Sequence, residues 1–392
     1  MRWAVPVVAI AAVAGAIGAG PVIAAVQGDP VLPERTAEQL LASAAQAARA
    51  GVRPMSGTVM QTASLGLPGL PEVSGVSGTS PTALLAGSHE LKVWYGGAGK
   101  VRLAMPGRMS ETDLIVNGDQ AWLWQSDVNK ATRVKADGTG KIGEHGPGRR
   151  AQDALPTATT PQQLARTLLD RVVRDTAVGV SSAEKVAGRA AYQLVLAPRD
   201  PSSLIREVKL ALDGETLVPL RVQVYARSAA EPAFEVGFTS VTFTPPAAEN
   251  FTFTPPAGAK VDETSFGELT ERSRAGHEGF ESRKEFDDKV RVVGGGWTTV
   301  AVLRAPEDLK DLAAPEHRQG TEQGRATGQG AAERDATTIA DALRRSATPI
   351  SGPWGSGQVV RTKLVSALLT DDGRLLVGAV TPEKLSEAAG QK

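Results

Sequence analysis

The side chains that could do covalent or metal chemistry are few and badly spaced for it. The four histidines, His89, His145, His277 and His317, lie far apart, with none at metal-ligand spacing. A serine nucleophile on a strand-to-helix elbow needs G-x-S-x-G. VSGVSGTS has Thr79 where the final glycine belongs, and PWGSG has Trp354 where the first belongs. GGAGK and VVGGGW each fall short of a phosphate-binding or dinucleotide fingerprint and read as turns. The carboxylate pairs Asp287-Asp288 and Asp371-Asp372 sit in charged or turn contexts. With no cysteine, thiol catalysis, thiolate metal sites and disulfides are excluded. No stretch assembles a nucleophile, a base and an orienting group, so the expectation is a non-enzyme without a cofactor.

What the chain does carry is apolar surface in an unusual place. Residues 113–127 read DLIVNGDQAWLWQSD, with the hairpin signal Asn117-Gly118 between two apolar runs. Side chains alternate across a strand, so Leu114, Val116, Ala121 and Leu123 share one face. Ile115, Trp122 and Trp124 share the other with Asp113 and Gln120. A loop of two or four residues leaves this division unchanged, because both lengths are even. Both faces are therefore apolar, where an ordinary surface hairpin has one polar face. Aromatics make up only 4% of the chain, so placing two of its six tryptophans here is informative.

The elements around this hairpin form a meander. HELKVWYG sets Leu91, Val93 and Tyr95 on one side, and VRLAM sets Val101, Leu103 and Met105 on one face. Thr36 to Gln39 is a capping box opening a helix that stops at Gly51. Thr160, Pro161 and Gln163 mark a second helix with Leu164, Leu168, Leu169, Val172 and Val173 on its apolar face. Sheet then resumes through TAVGVSS, AAYQLVLAP, IREVKLALD, LVPLRVQVYA and FEVGFTSVTFT, with turns at Gly188-Arg189 and Asp213-Gly214. The six-residue TFTPPA at 242–247 recurs at 252–257 and reads as two strand exits into proline. Roughly ten antiparallel strands with two helices must curl, and a half-closed barrel capped by the helices satisfies this; its inside is either packed or hollow.

The 392 residues divide further. Residues 1–26 start Met1-Arg2 and then run uncharged from Trp3 to Val26, an export signal peptide or a retained N-terminal membrane anchor. The sheet domain covers 34–262, a charged linker 263–289, and a small C-terminal α+β domain 290–392 with a low-hydrophobicity, flexible insert at 313–334. Forty-three basic and 43 acidic side chains leave no excess for phosphates, so nucleic acid is not a partner.

The whole layout resembles the LolA/RseB/LppX-LprG superfamily, and more closely the LolA-like exported proteins of high-GC Gram-positive bacteria. The stretches that carry the resemblance are LLAGSHELKVWYGGAGKVRLAMPGRMSETDLIVNGDQAWLWQSD, TPQQLARTLLD, YQLVLAPRD, LALDGETLVPLRVQV and FTSVTFTPPAAENFTFTPPAGAKV. It implies an α+β fold: a curved antiparallel half-barrel capped by helices, with a hydrophobic cavity for acyl chains of lipid or lipoprotein. Leu91, Val93, Val101, Leu103, Met105, Leu114, Val116 and Leu123 are the expected lining. Trp122 and Trp124 are placed with them, at the rim or under the C-terminal unit. The location is extracytoplasmic, cell-membrane associated or secreted. The alternative is an RseB-like regulator that senses envelope lipids or lipoproteins, modulates σ-factor signalling, and engages a membrane protein through the C-terminal domain. The family's lipoproteins are tethered through a cysteine, which this chain lacks.

Overall fold

The computed structural model describes residue 30 and residues 32–66, 86–97, 99–107, 109–136, 174–265, 268, 290–305 and 346–391. The expected signal segment, the helix from Thr160, the body of the linker and the 313–334 insert lie outside them. Among the described residues, no helix is long and apolar enough to cross a membrane.

Helix α1 (Ala37–Ala50) begins at the expected box. The Gln39 amide donates to Thr36 Oγ1 at 3.2 Å, and the Thr36 amide donates to Gln39 Oε1 at 3.0 Å. Gly51 ends it with φ +88°, a left-handed conformation that glycine adopts without a Cβ clash. Strands β1 (Met55–Ser64), β2 (Ala86–Gly97), β3 (Lys100–Pro106), β4 (Glu111–Asn117), β5 (Gln120–Gln125) and β6 (Lys130–Lys135) form the first meander. A second follows: β7 (Thr176–Val186), β8 (Arg189–Pro198), β9 (Ile205–Asp213), β10 (Pro219–Ala226) and β11 (Pro232–Thr242). With β12 (Lys260–Ser265) they make one twelve-stranded sheet, ordered β12-β6-β5-β4-β3-β2-β1-β11-β10-β9-β8-β7. Only the β12–β6 pair is parallel.

Two details differ from the sequence reading. Strand β12 runs to Ser265, inside the stretch read as linker, and its carboxylates pair with the edge: Lys130 with Asp262 at 2.8 Å and Lys135 with Glu263 at 2.8 Å. The second TFTPPA is not a strand exit. It is irregular chain after a 3-10 turn at Ala248–Phe251, and Pro255 and Pro256 have no amide to offer a ladder.

The sheet is large, curved and open. Strand β7, at the far edge, comes back into contact with β11. Curling encloses a core of Met55, Val59, Val186, Val218, Leu220, Val222, Val236 and Phe238, so this half of the concavity is packed solid. Helix α1 seats Leu40, fully buried, on Tyr192 and Leu212. The side of the sheet carrying Met55, Val59, Phe238 and α1 is called inner below.

A second, six-stranded antiparallel sheet is ordered β13 (Arg291–Val293), β14 (Val300–Arg304), β18 (Arg374–Gly378), β17 (Ser366–Thr370), β16 (Gly355–Arg361) and β15 (Thr348–Gly352). Helix α2 (Pro382–Gly390) starts where the Thr381-Pro382 pair marks it, and buries Leu385, Ala388 and Ala389 against this sheet. The stretch VRVVGGGWTTVAVLR, whose VVGGGW was read as a turn, forms the β13–β14 hairpin.

The two sheets are stitched together by backbone. The Leu204 amide donates to the Ala379 carbonyl and the Thr381 amide to the Ser202 carbonyl, each at 2.9 Å. Trp297 Nε1 donates to Thr176 Oγ1 at 2.6 Å, and Lys363 Nζ to Ser64 Oγ at 2.8 Å. Leu364 enters an apolar cluster with Ala226 and Ala233.

Candidate functional site

The hairpin that opened the question closes on Gly118-Asp119 instead of Asn117-Gly118, with Asn117 paired to Gln120. Gly118 supplies the positive φ, +69°, and its amide donates to the Gly99 carbonyl in the neighbouring turn at 2.7 Å. The register moves relative to an Asn-Gly loop, but the parity does not. Leu114 pairs with Leu123, and Ile115 with Trp122.

Cross-strand register then builds two opposed surfaces from four strands. On the inner face Val93, Leu103, Leu114 and Leu123 stand in one row across β2, β3, β4 and β5. Beside it runs a second row of Tyr95, Val101, Val116 and Ala121. Leu91 faces Val59 on β1, and Met105 faces Thr112 on β4. With strands about 4.8 Å apart, each four-strand row extends about 14 Å. Of the expected lining, Val93 is buried; Leu91, Val101, Leu103, Met105, Val116 and Leu123 are half-buried, and Leu114 is 37% exposed.

The outer face of the same strands is the opposite case. Ile115 is 1% exposed, and Ala104 and Ala131 are fully buried. The chain between β11 and β12 crosses this face as a strap. Phe251 is buried against Gly96, where an added Cβ would come within 2.9 Å of the ring. Phe253 lies over the two tryptophans, its centroid 5.5 Å from Trp122 and 5.9 Å from Trp124. So Trp122 and Trp124 are not brought together with Leu103, Leu114 and Val116: they are on the other side of the wall, against the chain's own phenylalanine. The one signal for this partner was the TFTPPA echo. Phe243 of the first copy packs on the inner core, and Phe253 of the second on the outer face.

The strap makes a direct prediction. Phe253→Ala removes the ring from both indoles, which should shift tryptophan emission to the red and cost about 1–2 kcal/mol in a urea titration. An unchanged spectrum would mean the strap does not cover them in solution.

The polar groups on the outer face are paired in part. Asp113, 3% exposed, accepts from Arg102 Nη2 at 2.6 Å, and the guanidinium lies 5.2 Å from the Trp94 ring centroid. Next to them a groove of about 370 Å³ is lined by Ser56, Thr58, Lys92, Trp94, Ser240 and Thr242. Sequence reading missed it, because its residues come from β1, β2 and β11 and no local pattern joins them. Among the described residues, no group of three histidine, aspartate or glutamate side chains is placed to hold a metal ion.

No family model matches the chain, and no curated protein matches it. Among solved structures it is similar to the MucA/MucB complex of Pseudomonas aeruginosa, with 15% identity and a TM-score of 0.39 over 90% of this chain and 96% of that one. It is also similar to a LolA superfamily protein from Nitrosomonas europaea, with 13% identity and a TM-score of 0.21 over 56% of this chain and 99% of that one. Both TM-scores are below 0.5, so neither likeness assigns a family.

Proposed function

We propose that this chain is a non-catalytic cell-envelope protein that holds acyl chains of lipid or lipoprotein against the inner face of β2–β5. The observation that carries the reading is the asymmetry of those strands. The strap packs on their outer face at Gly96, Trp122 and Trp124, while their inner face keeps Leu103, Leu114, Val116 and Leu123 partly exposed in adjoining rows. Contiguous exposed apolar surface of this kind is usually an interaction site. At roughly 25 cal/mol per Å² buried, one acyl chain laid along the rows would gain several kcal/mol with no reacting group. Leu91, Val93, Val101 and Met105 complete the lining. Trp122 and Trp124 serve in this reading to hold the strap behind it.

A second reading is favoured by the stitched sheets. Backbone hydrogen bonds between the sheets would let a lipid-induced change in the first alter what the second presents to a membrane protein, which makes the chain a regulator of the RseB kind.

The test is native mass spectrometry of the full chain, expressed in an exporting host and purified without detergent, followed by organic extraction. A discrete mass excess that extracts as an acylated lipid supports the acyl-binding reading. A bare mass that also ignores added fatty-acid probe would overturn it.

A further inference from the structure

The outer-face groove is independent of the acyl surface, being on the other side of the sheet. A β-bulge shapes it. Thr58 pairs with Ser240 but Val59 pairs with Phe238, so Thr239 is the extra residue of a bulge in β11. Beside the bulge the groove is floored by two cross-strand rows, Trp94–Ser56–Thr242 and Lys92–Thr58–Ser240.

The chemistry gathered there is specific. Hydroxyls come from Ser56, Thr58, Ser240 and Thr242, with Thr58 only 4% exposed and hydrogen-bonded to Ser240 Oγ. One side of the cleft carries the Trp94 indole. Arg102 stacks on that ring and is itself anchored by Asp113, so the indole is held in place before any ligand arrives. Lys92 contributes the cation, and among the described residues its ammonium has neither a hydrogen bond nor an ion pair.

An aromatic plane beside a bank of hydroxyls suits a sugar, whose C–H face is apolar and whose rim donates and accepts hydrogen bonds. This ammonium, without a partner among the described residues, adds a place for one negative charge, and a sugar carboxylate supplies one. We propose that this groove binds an acidic sugar of the uronic acid class, its carboxylate on Lys92 and its ring against Trp94. The hydroxyl bank receives the sugar's own hydroxyls. A neutral sugar lacks the ion pair, and a bare anion lacks the ring contact, so both should bind more weakly.

The experiment is calorimetric titration of the full chain with a glucuronic acid disaccharide, the matching neutral glucose disaccharide, and inorganic phosphate. The expected result is saturable binding of the acidic disaccharide at about tenfold or greater affinity over the other two. Lys92→Gln should remove that preference by a similar factor. Trp94→Leu should weaken both disaccharides together, with circular dichroism confirming that each variant stays folded. Three outcomes overturn the proposal: no acidic-disaccharide binding up to millimolar concentration, equal binding of phosphate and disaccharide, or affinity unchanged in both Lys92→Gln and Trp94→Leu.

Discussion

Leu114→Glu should abolish acyl-probe binding while leaving the chain folded, and Ile115→Glu, one residue further along, should unfold it. The two residues are neighbours in sequence and on opposite faces of β4. Leu114 is 37% exposed, so a glutamate there keeps its carboxylate in water and costs at most about 1–2 kcal/mol. In the acyl-binding mode that same carboxylate would sit in the row Val93–Leu103–Leu114–Leu123, and desolvating it under an acyl chain outweighs what the chain gains. Leu103→Glu and Val116→Glu should behave like Leu114→Glu.

Ile115 is 1% exposed, its strand partner is Trp122, and the strap covers that face. The cations in its own row are Arg102, which Asp113 already holds, and Arg133, which lies beyond Trp122 and is held by Glu263. The cost is about 4–5 kcal/mol or more, a large part of the 5–15 kcal/mol that stabilises a typical domain. The measurement is a urea titration of each variant alongside fluorescent fatty-acid binding. Probe binding that survives in Leu114→Glu, Leu103→Glu and Val116→Glu alike would remove the inner face from the site.

Asp213→Ala carries the second large effect. The Asp213 carboxylate is fully buried and accepts from Arg189 Nε at 2.5 Å and Nη2 at 3.0 Å. Thr216 adds its amide at 2.8 Å and its hydroxyl at 2.7 Å. Arg189 also stacks over Phe243, 5.0 Å from the ring centroid, where the chain leaves β11 for the strap. One carboxylate thus ties the β7–β8 turn to the β9–β10 turn. Removing it leaves the guanidinium with Glu215, 2.8 Å from Nη2, as its remaining carboxylate partner and strands the Thr216 donors. Arg189 is 28% exposed, so water recovers part of the loss, and about 3 kcal/mol is expected.

The pH dependence has a definite sign. Burial alone would raise the Asp213 carboxyl. Arg189 and the Thr216 bonds together outweigh it, and the group is held below the ordinary carboxylate value. A carboxylate lowered on folding contributes stability that is full above its unfolded value of about 4, and is lost as pH falls through the folded one. The gap between native and Asp213→Ala urea midpoints should therefore be constant from neutral pH to about pH 5 and shrink below pH 4. A gap that widens on acidification would mean the carboxyl is raised instead.

The strap joins these two sites and shows what could be read in advance. Period-two alternation is a local property of extended backbone. It assigned Leu114, Val116 and Leu123 to one face and Ile115, Trp122 and Trp124 to the other, and an even loop preserved this although the loop itself is Gly118-Asp119. The α1 capping box was equally legible, since a cap acts on the nearest few residues.

What covers each face was not legible. Phe253 reaches Trp122 from 131 positions away, Arg102 reaches Trp94 across one strand pair, and the groove needs β1, β2 and β11 side by side. The second TFTPPA looks identical to the first, yet one phenylalanine is inside the curl and the other outside it. By itself the sequence determined the alternation, the α1 capping box and the two-sided apolar sheet. Only the tertiary structure decided which apolar face the chain closes with its own side chains and which it leaves open. The reason is physical: alternation follows from neighbouring dihedrals, whereas cover depends on where distant segments run once the sheet has curled.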